Sequence, residues 1–121
     1  MTEVLIVDDS PVMRKIARRV LEGMALRASE AAGESQALAF CSLAMPDAIL
    51  FDGDMSGADG CEFVKRLRRL PGGDRAKVVA CFSENDPSRL ARAIHAGAND
   101  FVLKPFDGDL LRSKFSSVIA G

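Results

Sequence analysis

Short apolar runs alternate along this chain with longer stretches whose apolar residues return every three or four positions. Val4 to Val7 is wholly apolar, the length of a buried strand and too short for a helix. Ser10 then suits a helix N-cap and Pro11 the first helical position. Met13, Ile16, Ala17, Val20, Leu21 and Met24 follow at spacings that place them on one helical face. Leu26 to Ala31 is a weaker strand candidate, and a helix from about Glu34 to Leu43 follows it and is stopped by Pro46. Ala48 to Phe51 reads as a third strand. Beyond it, Cys61, Phe63, Val64, Leu67 and Leu70 mark a helix that ends at the turn Pro71-Gly72-Gly73. Lys77 to Phe82 is a fourth strand, and Asp86-Pro87 opens a helix through Leu90, Ala91, Ile94 and His95 that Gly97 closes. Phe101 to Leu103 is a short fifth strand, and Asp107 or Asp109 opens a last helix through Leu110, Leu111, Phe115, Val118 and Ile119.

Five strands alternating with five helices predict an α/β domain of stacked βα units around a parallel sheet. A length of 121 residues suits one domain, spanning 1–121, and is too short for two. No segment approaches the ~20 apolar residues needed to cross a bilayer, so no membrane partner is expected. The start, MTEVLIVDDS, lacks the basic lead and apolar stretch of a signal peptide, which makes a cytoplasmic location the expectation. With 16 basic and 17 acidic residues, the net charge of -1 argues against nucleic-acid binding. The basic runs at Arg14, Lys15, Arg18, Arg19 and at Lys65, Arg66, Arg68, Arg69 read as solvated helix faces, the first also a possible docking face for a partner. Cys41, Cys61 and Cys81 fit no zinc spacing or disulfide framework and read as packed thiols. His95, the single histidine, reads as a partly exposed structural residue.

In an open parallel sheet, functional groups collect beyond the carboxyl ends of the strands. The residues there are Asp8 and Asp9 after strand one, Asp52 after strand three, Ser83 after strand four and Lys104 after strand five. Asp54 and Asp59 add further acids to the loop FDGDMSGADG. Two carboxylates about 4 Å apart repel by ~4 kcal/mol at an effective dielectric of 20, so such a rim needs positive charge. Hard oxygen ligands with room for water suit Mg²⁺, and Lys104 supplies a second positive charge. A divalent ion, an ammonium and a hydroxyl around one carboxylate suit a phosphoryl group, with Asp52 as its acceptor through an acyl phosphate.

The successive segments LIVDDS with MRKIARRVLE, ILFDGDMSGADG, VVACFSEND and AGANDFVLKPFD resemble, in order and over the whole chain, the motifs of response-regulator receiver domains. The closest likeness is to stand-alone, chemotaxis-type (CheY-like) receivers. The resemblance implies a flavodoxin-like, doubly wound five-stranded sheet of order 2-1-3-4-5 with five helices. It implies phosphotransfer to Asp52 from a sensor histidine kinase or a histidine phosphotransfer protein, and a downstream protein target. It further implies Mg²⁺ held by the Asp9 and Asp52 side chains and the Asp54 main-chain carbonyl, with Asp8 acting through water. Ser83 and Lys104 would contact the phosphoryl oxygens, the Lys104-Pro105 bond would be cis, and Ser83 and Phe101 would form the switch. On this reading Ser83 moves to the phosphoryl group, and the Phe101 ring turns inward and alters the face of the fourth helix and fifth strand. The chain would be monomeric, either a complete stand-alone regulator, which the ending after the last helix favours, or a receiver cut from a larger chain, and would catalyse no reaction beyond its own phosphotransfer and slow dephosphorylation.

Ser56 stands where the family usually has proline and Ala58 where it has a larger apolar residue, which predicts a less rigid loop. Asp54 and Glu84 would add negative charge that disfavours small anionic phosphodonors. Two alternatives remain at this level. FDGDMS also resembles the Asp-x-Asp motif of haloacid-dehalogenase phosphatases, and a receiver fold can serve as an unphosphorylated binding module.

Overall fold

A computed structural model describes residues 2–55 and 61–120. The expectations for Ser56, Ala58 and Asp59 lie outside the described residues. Each apolar run becomes a strand and each periodic stretch a helix: β1 (Glu3–Val7), α1 (Pro11–Gly23), β2 (Arg27–Ala31), α2 (Glu34–Leu43), β3 (Ala48–Asp52), α3 (Cys61–Arg69), β4 (Lys77–Phe82), α4 (Pro87–Ala96), β5 (Asp100–Leu103) and α5 (Gly108–Ala120). All strand pairs are parallel and the sheet order is β2-β1-β3-β4-β5, the flavodoxin-like arrangement.

The helix ends follow the expected chemistry. The Ser10 hydroxyl accepts the Met13 N–H ahead of Pro11, and Asp86 caps the Ser88 and Arg89 N–H groups ahead of Pro87. Gly97 ends α4 at φ 125°, a backbone conformation that a side chain would strain. Asp107 Oδ1 accepts the Leu110 N–H at the start of α5.

Alternate strand residues face opposite sides of the sheet and build two core layers. Leu5, Val7, Ile49, Phe51, Val78, Ala80 and Phe82 pack against α2, α3 and α4. Val4, Ile6, Leu50, Val79, Cys81 and Val102 pack against α1 and α5. Strands buried on both faces read as continuous apolar runs, which is why β1, β3 and β4 were plain in the sequence. All three cysteines are buried. No helix among the described residues is long and apolar enough to cross a membrane.

Three details differ from the sequence reading. Ile16 is 45% exposed, because the buried arc of α1 centres on Ala17 and Leu21 and leaves Ile16 at its edge. Arg68 is no solvated residue: its guanidinium donates to the carbonyls of Gly73, Ala76 and Gly97. Arg14 and Arg18 both bond the Glu30 carboxylate on β2, which leaves Lys15 and Arg19 as the exposed bases of that run.

Candidate functional site

The register brings the carboxyl ends of the strands to one edge. Val7 pairs with both Ala31 and Phe51, Asp52 pairs with Cys81, and Phe82 pairs with Leu103, so Asp8, Asp52, Ser83 and Lys104 emerge together. Asp52 is the last residue of β3 rather than the first beyond it, and only 6% of it is exposed. Its Oδ1 accepts the Asp54 N–H at 2.9 Å and lies 3.3 Å from Lys104 Nζ. The same ammonium lies 3.2 Å from Asp8 Oδ2. Asp8 is equally buried; its Oδ1 accepts the Ser10 N–H at 2.9 Å, and its carbonyl accepts from Arg14 at 2.7 Å. Asp9, next in the chain, is exposed. One carboxylate oxygen from each of Asp8, Asp9 and Asp52 lies within 4.8 Å of the others.

Burial pushes the Asp52 carboxyl above its ordinary range, and the Asp8 charge adds to this. The Asp54 N–H and the Lys104 ammonium pull the other way without prevailing. Burial would lower the Lys104 ammonium, but Asp52 and Asp8 outweigh it and hold that group above its usual value. Three carboxylates facing one ammonium leave the cluster negative. A compact set of hard oxygens with one exposed member fits a hard divalent cation that keeps part of its water, as Mg²⁺ does.

The remaining predicted residues lie on the flank of this cluster. The Asp54 carboxylate turns away from the other acids: Oδ2 accepts the Ser83 N–H at 2.6 Å and Oδ1 accepts from Arg89 at 3.0 Å. Burial raises the Asp54 carboxyl, but the bonds from Ser83 and Arg89 outweigh this and hold it below the usual carboxylate range. Its charge is therefore paired with the Arg89 guanidinium on α4. Ser83 is exposed, and the Lys104-Pro105 peptide is cis. Phe101 is half-buried, with Lys114 Nζ 5.3 Å above its ring. Arg89 was missed in the sequence, where no spacing distinguishes it from Arg92 one turn on; the available signal was an acid-rich rim with a single lysine.

The family model for the response regulator receiver domain matches residues 4–116. The chain belongs to the response regulator receiver family. This receiver is 30% identical over 117 residues to the chemotaxis protein CheY of Halobacterium salinarum, covering 97% of this chain and 96% of that protein. It is 34% identical to the KDP operon transcriptional regulatory protein KdpE of Escherichia coli, over 88% of this chain and 46% of that protein. A match to the cyclic di-GMP phosphodiesterase response regulator RpfG of Xanthomonas campestris, at 33% identity, covers 96% of this chain and 31% of the relative. The chain thus spans less than half the length of each of these two longer relatives. Among solved structures, the receiver superposes on Vibrio cholerae chemotaxis protein CheY4 with a TM-score of 0.91 at 29% identity, covering 98% of each chain. The family match runs through all five strands and takes in both acids that follow β1, Asp8 and Asp9, to which the phosphatase alternative gives no role.

Proposed function

We propose that this receiver accepts a phosphoryl group on Asp52 from a phosphohistidine and thereby switches the face formed by α4 and β5 toward a protein target. The observation that carries this reading is the buried Asp52 carboxylate with the Lys104 ammonium 3.3 Å away and the Asp8 and Asp9 oxygens within 4.8 Å. Asp52 Oδ attacks phosphorus, the P–N bond breaks, and the departing imidazole nitrogen keeps the bonding pair and takes a proton from solvent. Lys104 and the Ser83 hydroxyl neutralise and bond the phosphoryl oxygens. The Asp9 and Asp52 carboxylates, with the Asp54 main-chain carbonyl and Asp8 through water, would hold Mg²⁺, which when bound offsets charge on the transferring oxygens.

The donor is a sensor histidine kinase or a histidine phosphotransfer protein. Phe101, half-buried beside Lys114, responds when Ser83 moves, and because a phenylalanine ring carries no hydroxyl its signal to the target is carried by packing. The unit 1–121 acts as one monomeric receiver domain in the cytoplasm, and its chemistry is limited to its own phosphorylation and dephosphorylation. The test is incubation with Mg²⁺ and a panel of phosphorylated kinases, comparing wild type with Asp52→Asn. Label should appear on wild type alone; equal label on Asp52→Asn rejects the acceptor assignment.

A further inference from the structure

Outside the acid cluster, one contact joins three segments of the same edge. The Asp54 carboxylate accepts the Ser83 N–H at 2.6 Å on one oxygen and the Arg89 guanidinium at 3.0 Å on the other. A second nitrogen of that guanidinium donates to the Gly53 carbonyl at 2.9 Å, and its carbon lies 5.1 Å from the centre of the Phe82 ring. The two side chains are 24% and 25% exposed, so salt screens the pair less than it would a surface pair. Packing below is tight, since a Cβ on Gly53 would collide with the Phe82 ring. The loop after β3, the residue after β4 and the first turn of α4 are clamped together.

Two consequences follow from the chemistry of a phosphoryl group on Asp52. Its oxygens draw the Ser83 hydroxyl, while the Ser83 main chain is held by Asp54. Its negative charge, two residues from Asp54, repels that carboxylate and attracts the guanidinium. Both effects oppose the clamp as it stands.

We propose that Arg89 is a positioning residue: its pair with Asp54 holds Ser83 and the start of α4 in the unphosphorylated arrangement and thereby sets how readily the switch is thrown. This rests on Asp52 being the acceptor. A ligand that prefers the released state must overcome the clamp, so removing the clamp increases its apparent affinity.

The test is titration of the full chain with beryllofluoride, a phosphoryl stand-in, at fixed Mg²⁺, followed by amide NMR of Ser83 and α4. Arg89→Gln should bind beryllofluoride roughly three- to tenfold more tightly than wild type, the range expected for one partly screened pair. Before any addition, its Ser83 amide should already be displaced toward the bound position. Arg89→Lys should fall between the two. Asp54→Asn should reproduce the effect, and the double variant should add little to either single one. Unchanged affinity in Arg89→Gln overturns the clamp, as does weaker binding, which would mean that the guanidinium serves the phosphoryl group itself. Wild type that takes no beryllofluoride in Mg²⁺ overturns the acceptor reading instead.

Discussion

Replacing Asp52 by asparagine should make the protein more stable at neutral pH when divalent ions are chelated. Three effects decide the sign. Ionised Asp52 is attracted to Lys104 at 3.3 Å by about 5 kcal/mol at an effective dielectric of 20. It is repelled by Asp8, with oxygens no more than 4.8 Å apart, by about 3.5 kcal/mol on the same scale. Taking the carboxylate out of water adds about 3 kcal/mol, the lower end of the several expected for a buried ion. The balance is about 1.5 kcal/mol against the ionised form, in agreement with the raised carboxyl. Asparagine keeps the oxygen that accepts the Asp54 N–H, and Lys104 keeps Asp8. For 121 residues, about 1.5 kcal/mol corresponds to a rise in Tm of about 6 °C. Because the native carboxyl titrates above the unfolded one, wild type loses stability as pH rises from about 4 through the native value, and does not regain it above. The gain in Asp52→Asn should therefore be largest near pH 7 and vanish toward pH 4. Mg²⁺ should raise the wild-type Tm and move the variant much less. Thermal melts in EDTA across this range are the assay. A variant less stable than wild type at pH 7 would refute the balance.

Lys104→Met removes the ammonium from two buried carboxylates and should cost about 3 kcal/mol in urea unfolding without divalent ions, with Mg²⁺ restoring part of it. Arg68→Ala leaves the carbonyls of Gly73, Ala76 and Gly97 without their donor and should cost about 2 to 3 kcal/mol by the same measurement; a loss below about 0.5 kcal/mol would restore the solvated-face reading. Burial pushes the Cys41 thiol up to about 11, so this thiol should resist alkylation at pH 8 in the native state and react once unfolded. Mass spectrometry after iodoacetamide treatment, with and without urea, checks this.

What could be read from the sequence, and what could not, divides along a physical line. The strands were legible because β1, β3 and β4 are buried on both faces, and only a continuous apolar run satisfies that. The parallel arrangement then brings the ends of sequence-distant strands to one edge, so Asp8, Asp52 and Lys104 could be named together although Lys104 stands 96 positions from Asp8. β2 was faint because it is an edge strand with Arg27, Ser29 and Glu30 among its five residues.

Arg68 was misread and Arg89 missed because a guanidinium can reach carbonyls and carboxylates that belong to other elements. Arg68 bonds Gly97 across 29 positions and Arg89 bonds Asp54 across 35. Which base makes such a bond depends on how the helix is rotated over the sheet, and Lys65, Arg66, Arg68 and Arg69 look alike until that rotation is known. Hydrophobic period sets the backbone frame; the pairing of long cations is decided only after the frame exists. For that reason Asp54 looked like an added charge on the reaction path when it is a neutralised one, and the cation that neutralises it sits on α4, the helix whose face the proposed switch must move.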